Sequence, residues 1–156
     1  MATLDAIDRR LLAELQDEGR VTNIELAQRV GLTAPPCLRR VRALEDAGVI
    51  KGYHAELDAS KLGFAITVFA LVSLKSQAEE SLRQFEEHMR TLAEVRECHM
   101  LNGEIDFILK IVAHDLPSFQ TFLTSKLTTT PNVASVKTSL TIRTSKDLPG
   151  VPVDND

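Results

Sequence analysis

Four arginines lie close together in one stretch of this chain and offer its clearest potential chemistry. Between Leu26 and Ala43 the sequence has no acidic residue but contains Arg29, Arg39, Arg40 and Arg42. Guanidinium groups bind phosphate and can pair bidentately with guanine. The net charge of the whole chain is −4, which argues against non-specific coating of nucleic acid. Local DNA binding stays open, because charges act within a Debye length of about 8–10 Å.

Three short helices are predicted to position these arginines. The first has apolar residues at helical spacing from Leu4 to Leu15. Thr22-Asn23-Ile24-Glu25 is a capping box that opens the second helix, and Gly31 ends it. Thr33 can cap the third helix. Prolines in the first turn of that helix are tolerated, because N–H groups there lack helical partners.

The third helix has a predicted inner and outer face. At 100° per residue, the inner face holds Leu38, Val41 and Leu44. Arg39 points away from that face, and Arg40 and Arg42 flank the exposed side. With the short turn before it, this is the helix-turn-helix arrangement, whose outer face fits the major groove of DNA. A solvated helix face with surface arginines is the alternative interpretation.

From Val49 onward the pattern changes, and the fold class is predicted to be α+β. Residues 49–55 suggest a short extended pair or wing. They are followed by a strand from Ile66 to Leu74, a helix from Ala78 to Leu92, strands over 95–101 and 107–113, a helix from Pro117 and a strand from Val136 to Ile142. The order β-α-β-β-α-β is ferredoxin-like. We expect a helix-turn-helix (winged-helix-like) domain at 1–57, a linker at 58–63, a ferredoxin-like domain at 64–148 and a flexible tail at 149–156.

The turn after the second predicted strand offers a possible ligand site. Gly103 permits positive φ and a close approach of backbone N–H groups to a carboxylate. Asp106, three residues later, could pair with an ammonium group, so the two poles would suit a zwitterion. In the alternative interpretation, Gly103 only turns a hairpin, and Asp106 caps it or pairs across a subunit interface.

Other function classes have little support in the sequence. Cys37 and Cys98 are too few for a disulfide framework and suit a reducing cytoplasm. Cys98 and His99 are neighbours in a predicted strand and point to opposite faces, a poor geometry for catalysis or a shared metal. The most apolar stretch, 64–74, is too short for a membrane span, and no secretory signal is visible. We expect no enzyme activity, metal, cofactor or membrane partner, and a cytoplasmic location.

Segments in both halves of the chain resemble the Lrp/AsnC family of transcriptional regulators. The run Thr33-Ala34-Pro35-Pro36-Cys37-Leu38-Arg39-Arg40, continued to Tyr53, is similar to the family's recognition-helix and wing segment, and Leu4-Asp5-Ala6-Ile7-Asp8, continued to Leu12, is similar to its opening. Glu97 to Lys110 is similar to the segment around the family's Gly-x-x-Asp turn. The resemblance extends over residues 4–148.

The resemblance implies a bacterial or archaeal regulator that binds double-stranded DNA and senses an amino acid or related metabolite. It also implies a homodimer that assembles further, often to an octamer. A dimer would present two recognition helices to a roughly palindromic operator. The residues predicted to bind DNA are Thr22, Asn23, Thr33, Ala34, Pro35, Pro36, Arg39, Arg40 and Arg42. Those predicted to bind the effector are Leu101, Asn102, Gly103, Glu104, Ile105 and Asp106.

Two other interpretations stay open at the level of sequence. One is an architectural DNA-binding protein that needs no ligand. The other is a metabolite-binding or small α/β enzyme domain whose N-terminal helices only mediate protein contacts. The acid-free basic stretch favours a DNA-binding protein over the second of these.

Overall fold

The computed structural model describes residues 4–153 of the chain. Three helices form its N-terminal part. They are α1 (Ala6–Asp17), α2 (Asn23–Val30) and α3 (Ala34–Asp46). The predicted capping box of Thr22 and Glu25 is confirmed at the start of α2, and a second box, of Asp5 and Asp8, begins α1. Gly31 ends α2 in the left-handed region with φ 75°, where a side chain would be strained. The helices enclose a core of Leu11, Leu26, Ala27, Val30, Cys37, Val41 and Leu44.

The buried face of α3 differs from the predicted one by one residue. Leu38 was predicted to be buried and is 39% exposed, whereas Cys37 is fully buried. Residues at positions 37, 41 and 44 lie on one face of a helix, and so do residues at positions 38, 41 and 44. Periodicity therefore cannot choose between them, and packing against α1 and α2 selects the smaller side chain. Thr33 is the N-cap residue, as predicted, but its side chain makes no capping hydrogen bond.

Residues 51–58 contain no paired strand in this chain. The extended pair predicted at 49–55 is therefore not formed here. The segment leads into a short 3-10 helix (Ser60–Leu62).

The second half of the chain forms one antiparallel sheet with two helical segments. Its elements are β1 (Ile66–Leu74), α4 (Glu79–Thr91), β2 (Val95–Met100), β3 (Phe107–Ala113), α5 (Leu116–Phe122) with a π-helical continuation (Leu123–Leu127), and β4 (Val133–Leu140). The strands lie in the order β2-β3-β1-β4. The predicted β-α-β-β-α-β order and the α+β class are confirmed. The last strand was predicted to end at Ile142 but ends at Leu140, and Ile142 is almost fully exposed.

Among residues 4–153, helical segments pack on one face of this sheet. Residues at alternate positions of β1 and β3 pack with Phe85, Met89, Phe119, Phe122 and Leu127 of the helical segments. The side chains at the intervening positions, such as Phe69, are exposed or only half-buried.

The backbone divides into two compact units. Within the described residues, one unit comprises 4–56 together with 146–153, and the other comprises 57–145. The end of the chain thus belongs with the N-terminal helices. Residues 149–153 of the tail predicted to be flexible make contacts in that unit, and residues 154–156 lie outside the described residues. No helix among residues 4–153 is both long and apolar enough to cross a membrane.

Candidate nucleic-acid interface and effector turn

The turn between α2 and α3 is held by a hydrogen bond between the two helix starts. The side-chain amide of Asn23 donates to the backbone carbonyl of Ala34, with Nδ2 and O 2.9 Å apart. The hydroxyl of Thr22 donates to Glu25 Oε2 at 2.7 Å within the capping box. Three of the residues predicted to bind DNA, Thr22, Asn23 and Ala34, therefore help to build the helix-turn-helix itself.

The outer face of α3 presents two arginines to solvent. Arg39 and Arg42 are exposed, and neither has an ion-pair partner among residues 4–153. The exposed Thr33 and Pro35 precede them, and Pro36 is half-buried. Leu38 lies beside these groups on the outer face. It is not among the residues predicted to bind DNA, because its position in the helical period indicates burial.

The other two arginines of the basic stretch are paired with carboxylates of α1 and of its two cap residues. Arg29 lies 3.2 Å from Glu14 and 2.7 Å from Glu18. Arg40 was predicted to flank the exposed face, but its guanidinium turns toward Asp5 and Asp8, with both N–O distances 2.7 Å. These hydrogen bonds raise the pKa of both arginines. Half of the positive charge seen in the sequence is thus neutralised within the fold, by acids that lie outside the stretch.

The predicted effector residues form one short turn between β2 and β3. The backbone N–H of Leu101 donates to the carbonyl of Asp106 at 2.8 Å, which closes the turn. Residues Leu101 to Glu104 are exposed, and Ile105 is half-buried. A Cβ placed on Gly103 would have no atom within 4 Å. The turn therefore leaves open space beside its backbone.

Asp106, which the sequence suggests could either pair with an ammonium group or stabilise the turn, is buried and hydrogen-bonded within the fold. Its side chain is 6% exposed. Oδ2 accepts the N–H of Leu74 at 2.7 Å, and Oδ1 accepts Nε2 of Gln77 at 2.9 Å. Both oxygens are thus used to tie the turn to the end of β1. This geometry favours the alternative interpretation, in which the aspartate stabilises the turn.

A cleft of about 380 Å³ lies between α4 and β2. Its lining includes Glu86, Arg90, Arg96 and Cys98. Burial raises the pKa of the Cys98 thiol to about 11, so the thiol is protonated near neutral pH and is a poor nucleophile. His99 contacts Glu97 at 3.2 Å. Within the described part of the chain, no group of three or more His, Cys, Asp or Glu residues could hold a metal ion.

Both units match known protein families. Residues 4–51 match the family described as winged helix-turn-helix DNA-binding, and residues 67–151 match the Lrp/AsnC ligand binding domain. A leucine-responsive regulatory protein of Rhizobium meliloti is 55% identical over 144 residues, which is 92% of each chain. The Bkd operon transcriptional regulator of Pseudomonas aeruginosa is 43% identical over 143 residues, 92% of this chain and 94% of that protein.

Solved structures agree with the fold over almost the whole chain. A Neisseria meningitidis transcriptional regulator, solved as a complex with L-methionine, has a TM-score of 0.93 and 34% identity, covering 97% of this chain and 98% of that one. An AsnC family transcriptional regulator from Agrobacterium tumefaciens has a TM-score of 0.90 and 29% identity, with 96% and 97% covered. The relatives are named as regulatory proteins or transcriptional regulators. With its helix-turn-helix and its ligand-binding sheet domain, this chain belongs to the Lrp/AsnC family of transcriptional regulators.

Proposed function

We propose that this protein controls transcription by binding a specific operator through α2 and α3, and that an amino acid or related metabolite changes this binding or the protein's assembly. The outer face of α3 is the observation that carries the proposal. Arg39 and Arg42 are exposed there without an ion-pair partner among the described residues. Such a face fits the major groove, where arginine pairs with guanine or phosphate. DNA in a bacterium or archaeon lies in the cytoplasm, so we propose that location too.

The first residues of α3 limit how this helix can meet DNA. Pro35 and Pro36 occupy its first turn, and proline has no backbone N–H to offer a phosphate. Of the first three residues of α3 only Ala34 has a backbone N–H, so we expect the contacts to come mainly from side chains. The Thr33 hydroxyl, which makes no capping bond, and Arg39 and Arg42 are the groups that we assign to it.

The open face of the sheet supports a homodimer. Its centre is largely apolar, with Leu71 of β1 paired with Ile108 of β3, and Phe69 paired with Lys110, whose ammonium group is bound to Glu97. Polar residues of β4 and β2, such as Lys137 and Glu97, lie on either side. An apolar centre with a polar rim is typical of protein interfaces, and we propose a second copy as its occupant. A two-fold dimer would bind a roughly palindromic operator. Further assembly, for example to an octamer, rests on the family resemblance.

The turn from Leu101 to Asp106 is the effector site that we propose. The match to a ligand-binding domain and the relative's complex with L-methionine support an amino-acid ligand. The N–H groups of Gly103 and Glu104 donate to no acceptor among the described residues, so they are available to a carboxylate. Because Asp106 is already bonded, Glu104 is the carboxylate that we assign to the ammonium group of the ligand.

The effector is tested by thermal shift of the full-length chain with each of the twenty amino acids. A ligand that binds the native state raises the melting temperature. We expect a selective rise that disappears in Glu104→Gln. The same amino acid should change the affinity for a duplex selected in vitro with the wild-type chain. If no amino acid shifts the melt while the duplex still binds, the protein is a ligand-independent architectural DNA-binding protein or has another effector.

A further inference from the structure

Arg40 lies on α3, but its charge is directed toward α1. One guanidinium nitrogen, Nη1, contacts Oδ2 of Asp5 and Oδ1 of Asp8. The other oxygen of each aspartate caps the helix: Asp5 Oδ1 accepts the N–H of Asp8, and Asp8 Oδ2 accepts the N–H of Asp5. Each carboxylate thus has one oxygen for the cap and one for Arg40. The guanidinium joins α3 to a capping box that is complete without it.

The contact is partly shielded from water. The side chain of Asp8 is 16% exposed and that of Arg40 is 32% exposed. A guanidinium that left this place to bind a phosphate would leave two carboxylates without their cation. Those carboxylates would then repel the same phosphate. No such cost applies to Arg39, which is exposed and has no ion pair among the described residues.

We propose that Arg40 is a positioning residue that fixes the DNA-reading helix α3 to the N-terminus of α1 through Asp5 and Asp8. Direct contact with DNA is then left to Arg39 and Arg42. This inference rests on the proposed function of α3, and it removes Arg40 from the contacts that the basic stretch suggests.

The variant Asp8→Asn distinguishes the positioning role of Arg40 from a general effect of net charge on DNA affinity. Asparagine keeps an oxygen that can cap α1 but loses the negative charge that holds Arg40. Charge alone predicts tighter DNA binding by this variant, because the chain becomes less negative. Positioning predicts weaker binding, because Arg40 of α3 loses the more shielded of its two carboxylates and keeps only Asp5, whose side chain is 51% exposed. Glu14→Gln is the matched control: it makes the same charge change on α1 and also leaves an arginine with one of two carboxylates, but that arginine, Arg29, lies on α2 and not on α3.

The measurement is the affinity of full-length variants for a duplex selected in vitro with the wild-type chain, at several salt concentrations. We expect several-fold weaker binding by Asp8→Asn and no weakening by Glu14→Gln. Arg40→Gln should weaken binding without changing the salt dependence. Arg39→Gln should lower the salt slope by about one for each bound helix if it contacts phosphate. The double variant Asp8→Asn/Arg40→Gln should bind no more weakly than Arg40→Gln alone.

Tighter binding by Asp8→Asn would overturn the proposal, as would a lowered salt slope in Arg40→Gln or additive losses in the double variant. If Arg40→Gln does not fold, the direction of the change in DNA affinity in Asp8→Asn still tests the proposal. Failure of the wild-type chain to select any duplex would instead contradict the proposed operator binding, which keeps the two failures distinguishable.

Discussion

The side-chain amide of Gln16 pairs with the backbone of Val151 through two hydrogen bonds. Nε2 of Gln16 donates to the carbonyl of Val151 at 2.8 Å, and the N–H of Val151 donates to Oε1 of Gln16 at 3.1 Å. Gly150 lies beside the pair with φ 66°, and a Cβ at this position would clash with the Gln16 carboxamide. The pair attaches the end of the described chain to α1.

Replacing Gly150 with alanine should release this segment. The new methyl group would displace the Gln16 carboxamide from its present position, and the left-handed backbone would be strained. We expect faster amide exchange at Val151, by about tenfold, since each hydrogen bond contributes roughly 0.5–1.5 kcal/mol. Hydrogen exchange of the C-terminal peptide measures this. Gln16→Ala should give the same release without backbone strain, and unchanged exchange in both variants would contradict the pairing.

Tyr53 should titrate at unusually high pH. Its hydroxyl donates to Glu45 Oε1 at 2.9 Å. Partial burial, followed by this hydrogen bond and the charge of Glu45, raises the pKa of Tyr53 to about 12. The chain has one tyrosine and no tryptophan, so phenolate absorbance reports this residue alone. We expect Glu45→Gln to lower the pKa. A midpoint near 10 in the folded wild-type chain, with folding checked by circular dichroism, would contradict the contact.

Asp106→Ala should destabilise the sheet domain. The substitution removes the acceptor of the Leu74 N–H and of the Gln77 amide. A buried donor left without a partner costs about 1–3 kcal/mol, so the free energy of unfolding should fall by that amount. Urea denaturation measures it. Glu104→Gln, in the exposed part of the same turn, should unfold like the wild type. Equal stability of Asp106→Ala and the wild type would restore a purely ligand-binding role for this aspartate.

Leu38 should sense thymine methyl groups in the operator. It lies on the outer face of α3 near Arg42, and leucine can contact the 5-methyl of thymine in the major groove. Replacing thymine by deoxyuridine in the selected duplex should weaken wild-type binding by roughly three- to fivefold per contacted methyl. Leu38→Ala should bind both duplexes equally. An identical loss in wild type and variant would exclude Leu38 as the methyl contact.

Lowering the pH should remove the stabilisation that the Asp115 carboxylate gives to α5 by capping its N-terminus. The backbone N–H of Ser118, and then its hydroxyl, lower the pKa of Asp115 below its ordinary value of 3.8. Because the folded pKa is the lower one, the stabilisation is present above pH 3.8 and is lost as pH falls through the folded value. Asp115→Asn should therefore melt below the wild type at pH 7 and approach it near pH 3. A gap between the two melting temperatures that does not shrink on acidification would contradict this.

Local patterns were enough to predict most of the fold. The capping box at Thr22 and the glycine stop at Gly31 are interactions among residues close in sequence, and alternation along β1 reflects burial of one sheet face. The family resemblance also rests on contiguous runs of sequence. Such features can be predicted because the residues that cause them are neighbours along the chain.

The tertiary structure decided which charged side chains remain available to bind DNA or a ligand. The basic stretch showed four arginines, but Arg40 meets Asp8 across 32 residues of sequence and Arg29 meets Glu14 across 15. Asp106 bonds Leu74, also 32 residues away. Composition and spacing identify the charged groups and the helices that carry them. Their partners depend on how distant segments pack, since an ion pair forms only where folding brings two side chains within contact distance.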